Sequence, residues 1–392
     1  MIIVKKFNTY SFSIYLLLFL ILLIFPSVFA ILFDGTSKRI GIYPGILLLL
    51  VLFTILNNYR IKRKVLAIKY FFIFSIIIHL ILSYILSRTD FFLRSFYSFI
   101  LILIIIISAF TFANICNNIR NKIIENTLFY SFIILNIDLI FSLLFKINHL
   151  DKSFFLFPEP SHFALIYIPI LFFNIFRFSI FKFSFFSFIV FMVAIHIKSL
   201  VLLFGLSIIV FLYLFRNKHY TSLILFFCLS IITISTNQYF YDRLNVVDTE
   251  NLSLLVFLCG WERAYLSLLN TNGLGVGLNQ LGFTNNAGFF RDVLIKLNAP
   301  TLNIYDGGST APKIISELGL VGLFIIVFYL KISAQALKKI LYVQFLSPRL
   351  LLYSSFVFSS LLDLFIRGTG YFSVNMILFF TVCFMTHKNS LD

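Results

Sequence analysis

Charge is what this chain has least of. Only 12% of its 392 residues are Asp, Glu, Lys or Arg, against roughly 25% in a water-soluble domain. That shortage excludes an ordinary solvated surface. A 60% hydrophobic content with 54 Phe and a mean hydropathy of +1.02 show what replaces it. Cysteine is scarce too. Cys116, Cys228, Cys259 and Cys383 are scattered, which excludes both a CxxC metal pattern and a disulfide framework. The six histidines do not cluster, and no metal-ligand spacing occurs. His79 and His196 lie in or at the end of apolar runs and read as packed or hydrogen-bonded side chains. Alternating ten-residue strands are missing, which excludes an outer-membrane barrel. There is no Gly-x-Ser-x-Gly elbow and no Walker loop.

What is present is a succession of apolar stretches of about 17–25 residues, the length that crosses a ~30 Å hydrocarbon core as helix. They fall near 11–33, 42–57, 66–87, 95–115, 127–146, 162–176, 181–197, 199–215, 220–237, 311–330, 350–366 and 371–387. The expectation is an all-α polytopic membrane protein of about twelve transmembrane helices. The first run follows Lys5 and Lys6 and offers Val28-Phe29-Ala30 as a weak cleavage site. Its length exceeds a signal-peptide core, so it reads as an uncleaved first span.

The net charge of +16 does not point to nucleic acid, because no basic patch interleaved with aromatics sits on a soluble domain. Most cations instead occupy short loops, where they set orientation. With the N-terminus inside, the inner loops hold Arg60, Lys62, Arg63 and Lys64; Arg120 and Lys122; Arg177 and Lys182; Arg216 and Lys218; and Lys331, Lys338 and Lys339. This divides the chain into helices 1–237, with an outer loop near 147–161; one large outer loop, 238–310; and helices 311–392. Within the large loop, "NLSLLVFLCGWERAYLSLLN" (251–270) is long enough to span. Glu262 and Arg263 would each cost about 2.5–3.5 kcal/mol at mid-membrane, so an interfacial helix is expected there.

Three groups of residues invite chemistry. The stretch "FLFPEPSHFALIYIPI" (155–170) puts a carboxylate, two prolines, a serine and a histidine at the mouth of an apolar run. Ser161 reads as an N-cap, but capping leaves Glu159 unexplained. Arg243, Arg263, Arg291, Lys296 and Lys313 lie in or beside the large loop, with Arg367 before the last span. Outer arginines run against the topological bias, and guanidinium forks suit phosphate oxygens. Arg243 and Lys296 read as solvated loop charge, whereas Arg263 and Arg367 sit in apolar surroundings. The glycines of "GLGVGLNQLG" (273–282) fail the dinucleotide spacing at Gln280 and read as a close-packed turn. In "DGGSTAPKIISELGLVG" (306–322), Ser309 or Thr310 is expected to cap a helix, whose N-terminal amides would equally suit an anion.

Together, "PEPSHFA", "WERAYLSLLNTNGLGVGLNQLG", "GGSTAPKIISELGLVG" and "RGTGY", in this order and sidedness, make the chain resemble the Wzy-type O-antigen polymerases of Gram-negative bacteria. The resemblance covers essentially the whole chain, although each motif is loose. It implies a multi-pass protein of the inner membrane, similar to the metal-independent C-type glycosyltransferases, with its active site facing the periplasm and no cofactor. It implies a glycan donor on undecaprenyl diphosphate, membrane lipid around it, and a chain-length regulator protein as a candidate partner. Among residues of this chain it suggests Glu159 or His162 for the acceptor proton and Arg263 and Arg367 for the leaving diphosphate, with Arg291 third. Asp306, Ser309 and Glu317 are expected to meet sugar hydroxyls, and Ser161, Lys313 and Tyr371 to line the substrate. O-antigen ligases typically carry a functional His in the outer loop before a late span. Here that loop reads "LNIYDGGSTAPK" and has none. A flippase or transporter would place charges along its spans, where this chain has mainly Asp138 and Asp363.

Overall fold

The computed structural model describes residues 2–32, 63–87, 92–147, 154, 156–244, 250–283 and 288–385. Among the described residues the chain is all-helical. Its helices are α1 (Ile2–Leu32), α2 (Arg63–Ser87), α3 (Phe92–Asn118), α4 (Asn121–Ile147), α5 (Pro160–Ile175), α6 (Ile180–His196), α7 (Leu200–Arg216) and α8 (Tyr220–Thr236). They continue with α9 (Gln238–Leu244), α10 (Leu252–Asn270), α11 (Phe289–Lys296), α12 (Thr310–Tyr342), α13 (Pro348–Phe365) and α14 (Val374–Phe384). The span expected near 42–57 lies outside the described residues.

Side chains are distributed as in a protein dissolved in lipid. Large apolar residues face outward along α6 (Phe181, Phe185, Phe188), α8 (Ile224, Leu225, Ile231, Ile232) and α12 (Leu320, Phe324, Val327). Hydroxyls and carboxyls face inward: Ser354, Ser355, Ser359, Ser360 and Asp363 are all buried along α13. Water would reverse this pattern, so the outer face is matched to hydrocarbon. This is an all-helical membrane protein.

Among the described residues four helices are long and apolar enough to cross a membrane: Phe92–Asn118, Asn121–Leu144, Leu252–Asn270 and Thr310–Tyr342. A fifth arises if α8 and α9, bent by 93°, count as one broken span. Several helices expected as full spans are shorter, 10–17 residues long. At 1.5 Å per residue, 16 residues reach only about 24 Å.

The shortest of these can sit where protein, rather than lipid, surrounds them. Helix α5 is buried from Phe163 through Ile175 and packs against α4, α7 and α13. Pro160 starts it at the first turn, where the missing N–H is no loss. The helix cap is Glu159, without a side-chain cap bond, so the expected cap, Ser161, already lies inside the first turn. Phe154 and Phe163 stack at 4.3 Å, and Phe163 and Tyr167 at 5.0 Å, fixing the approach to α5. Ser359 of α13 donates to the Leu165 carbonyl at 2.8 Å, and Asn174 to the Leu128 carbonyl of α4 at 3.2 Å.

Helix α12 is two helices joined at Gly319, whose φ of 58° and ψ of −133° are not helical. Residues 310–318 form a short, fully buried segment before the long outward-facing one. The break exists because the 273–282 turn presses on it: a Cβ at Gly319 would lie 2.0 Å from the Gly273 carbonyl oxygen. Gly319→Ala is therefore expected to destabilise the fold by about 2–4 kcal/mol, from backbone strain plus overpacking. Thermal unfolding of the detergent-purified variant, followed by size exclusion, measures it.

Candidate functional site

Glu159 stands on the wall of a cleft of about 460 Å³ between α5, α7, α9 and α10. Its lining brings together the cations Lys198, Arg243 and Arg367 with one carboxylate, Glu159. The rest is small or apolar, including Ser161, Val201, Phe204, Phe257 and Gly308. Three cations against one carboxylate, next to an apolar wall, suit a ligand with an anionic head and a greasy tail.

Each charge is positioned by local structure. Arg367 follows the C-cap of α13 and its Nη2 lies 3.5 Å from Glu159 Oε2. The same oxygen accepts from Ser161 Oγ at 3.2 Å and lies 3.8 Å from His162 Nε2. On the far side, the Arg243 guanidinium sits 4.4 Å and the Lys198 ammonium 5.4 Å from the centre of the Tyr239 ring. Lys198 adopts a left-handed backbone (φ 56°) at the tight turn joining α6 to α7, a conformation uncommon outside glycine. Arg243 Nε is buried without a hydrogen-bond partner.

Behind Arg367, Asp363 is the hub. It is 3% exposed and accepts from Thr310 Oγ1 (2.8 Å), Thr369 N (2.9 Å) and Thr369 Oγ1 (2.6 Å). Asn375 Nδ2 is the weakest donor, at 3.4 Å. One carboxylate thus ties the start of α12, the 366–373 loop and α14. Thr310 donates its hydroxyl to Asp363 and is the first residue of α12 rather than its cap. Ser309 occupies the cap position without a cap bond, its buried Oγ unpartnered. Gly368 N donates to the Gly308 carbonyl at 3.1 Å, which docks the Arg367 loop onto the cleft floor.

The other expected residues form a second, buried group that braces the cleft. Lys313 Nζ donates to the Tyr305 carbonyl at 2.6 Å and meets Asp306 Oδ1 at 3.3 Å, 5.2 Å from the Tyr371 ring centre. Glu317, fully buried, accepts the backbone amides of Asn279 at 2.7 Å and Leu281 at 3.2 Å. The carboxylate therefore pins the glycine-rich turn to α12. Arg263 Nη1 donates to the Ile304 carbonyl at 2.7 Å, and Arg291 Nη2 to the Pro300 carbonyl. Neither arginine is among the cleft-lining residues. Both hold the 300–306 turn, and a Cβ at Gly260 would lie 1.9 Å from the Gly307 carbonyl oxygen.

The two charges on α10 are both satisfied inside the protein. Glu262 accepts the amides of Phe289 (2.6 Å) and Phe290 (2.9 Å) at the start of α11, while Arg263 takes the Ile304 carbonyl. His79, read as a hydrogen-bonded side chain, lies 2.9 Å from the Leu274 carbonyl.

Lys198, Tyr239 and Phe257 were not singled out by sequence, and Arg243 was read as a solvated charge. Lys198 carried the same signal as Arg367, a lone cation between apolar runs on the side expected to be outer. The chain matches no known family profile, no curated protein and no solved structure.

Asp363→Ala strands the Thr310 hydroxyl and the Thr369 amide and hydroxyl. It is expected to cost roughly 3 kcal/mol or more. Arg177→Ala, which opens the exposed Arg177–Glu125 pair at 2.9 Å, is expected to cost less than about 1 kcal/mol. Paired melting curves in one detergent compare them.

Proposed function

We propose that this protein is a polymerase of lipid-linked glycan repeat units, of the O-antigen polymerase type, acting at the periplasmic face of a bacterial inner membrane. In this reading about twelve spans carry the chain through the membrane, and the 238–310 loop, with α10 along the boundary, covers the outer mouth of the cleft. The observation that carries the reading is the cleft itself: Lys198, Arg243, Arg367 and Glu159 around about 460 Å³ with an apolar wall. A polyprenyl diphosphate has the matching form, an anionic head on an isoprenoid tail.

The acceptor hydroxyl oxygen bonds to the anomeric carbon of the growing chain. The bond from that carbon to the diphosphate oxygen breaks, and its electron pair leaves on the diphosphate. The acceptor proton passes to Glu159, whose Oε2 is already oriented by Ser161 and Arg367. Lys198 and Arg243 take the charge that builds on the leaving group, and Arg367 bridges the two ends. Arg263 and Arg291 serve this chemistry by holding the 300–306 turn.

Lipopolysaccharide gels after deletion and restoration test the reading. A long ladder that shrinks to core plus one repeat unit, and returns with the wild type, is expected. Complete loss of O-antigen would indicate a ligase or flippase, and an unchanged ladder would remove the protein from the pathway. Glu159→Gln is expected to lower polymer formation by about 10²–10⁴-fold and Arg243→Ala by about 10²-fold, while Lys296→Ala leaves the ladder intact.

A further inference from the structure

Across the Glu159–Arg367 pair lies a second, smaller hollow of about 60 Å³. The two cavities share their walls. From the entry and first turn of α5, Glu159, Pro160 and Ser161 line the cleft, while Pro158 and His162 line the hollow. From the loop after α13 and the start of α14, Ile366 and Arg367 face the cleft, while Thr369, Ser373 and Asn375 face the hollow. The 3.5 Å ion pair lies on the cleft side of this boundary, and His162, which lines the hollow, approaches Glu159 across it at 3.8 Å.

The chemistry of the two sides differs. Among the described residues no Lys, Arg, Asp or Glu lines the hollow. Its polar groups are hydroxyl, amide and imidazole. Asn375 is 3% exposed, and its Nδ2 donates to Asp363 Oδ1 (3.4 Å) and Thr369 Oγ1 (3.2 Å). Those two acceptors fix the amide's orientation and leave Oδ1 as an acceptor without a partner. A buried carbonyl oxygen without a donor is costly, and an O–H from a ligand removes that cost. The volume holds a few waters, and so the edge of a sugar ring but not a whole saccharide.

We propose that this hollow is the acceptor subsite: it takes a hydroxyl-bearing edge of an uncharged sugar, held by Asn375 Oδ1 and His162. The inference rests on the polymerase reading and adds to it the place of the second substrate. The anionic carrier of the donor lies on the cleft side and the neutral acceptor edge on the other, with Glu159 between them.

Ser27 of α1 also lines the hollow and permits filling it after folding. Ser27→Cys is made in a Cys228→Ser background, because Cys228 is exposed whereas Cys116, Cys259 and Cys383 are buried. The purified protein is treated with benzyl methanethiosulfonate. Undecaprenyl diphosphate binding is read from Trp261, the single Trp, whose ring lies 6.5 Å from that of cleft-lining Phe257. Polymerisation is read with lipid-linked repeat unit extracted from cells lacking this protein. The expected result is at least a tenfold loss of polymerisation with carrier affinity within twofold of the untreated protein. The Cys228→Ser parent, treated alike, keeps its activity. Unchanged polymerisation in the filled protein overturns the proposal, as does a loss of carrier affinity matching that of Arg243→Ala. A wild-type protein that fails to bind undecaprenyl diphosphate overturns the polymerase reading and the subsite with it.

Discussion

A carboxylate buried at the end of α13 fixes where everything at the cleft can stand. Without water, Asp363 has to collect its donors from the chain, and those it collects belong to three different elements. Thr310 opens the buried half of α12, Thr369 lies in the loop that carries Arg367, and Asn375 begins the last helix. The loop cannot drift without stranding hydroxyls in an apolar interior. Arg367 is therefore delivered to Glu159 on a support held by hydrogen bonds, although the ion pair itself is partly exposed and worth little on its own.

The same rule governs the glycine-rich turn. Glu317 lies fully buried and is satisfied by two backbone amides of residues 279–281, so it acts as a fastener. Backbone carbonyls do the equivalent for Lys313, Arg263 and Arg291. The floor behind the cleft is built from charged side chains anchored on main-chain atoms, with Asp306 beside Lys313 in addition. The cleft itself is lined by Lys198 and Arg243, whose cationic ends rest on the face of one tyrosine. An aromatic face holds a cation without consuming its donors. That difference separates a charge used for construction from one available to a ligand.

This distinction limits what the sequence reveals. The membrane class follows from composition, and Glu159 and Arg367 stand out because neither capping nor orientation explains them. Arg263 and Arg291 stand out by the same logic, yet the atoms that engage them are carbonyls of residues 304 and 300, which any sequence supplies. Arg243 looked ordinary because its value comes from Tyr239, one helical turn earlier, and from the 93° bend that turns α9 away from α8. The break at Gly319 was equally hidden. A lone glycine in an apolar run reads as tolerated, and only the turn packed against it requires it. Burial was hidden too: the apolar run 162–176 reads as a span, and nothing in it shows that α5 packs against α4, α7 and α13.

The prolines around Glu159 now have a physical account. Pro160 fixes the first turn of α5, where its missing N–H is no loss, and Glu159 at the cap position makes no side-chain cap bond. The carboxylate at the cap position stays available for Ser161 and Arg367. Ser161 lies inside the first turn, and its hydroxyl donates to the carboxylate at 3.2 Å. Helical geometry then keeps His162, three residues on, beside the carboxylate at 3.8 Å, where it lines the neighbouring hollow. One tight turn thereby gives the two cavities different chemistry, cationic on one side and neutral on the other, with a single carboxylate between them.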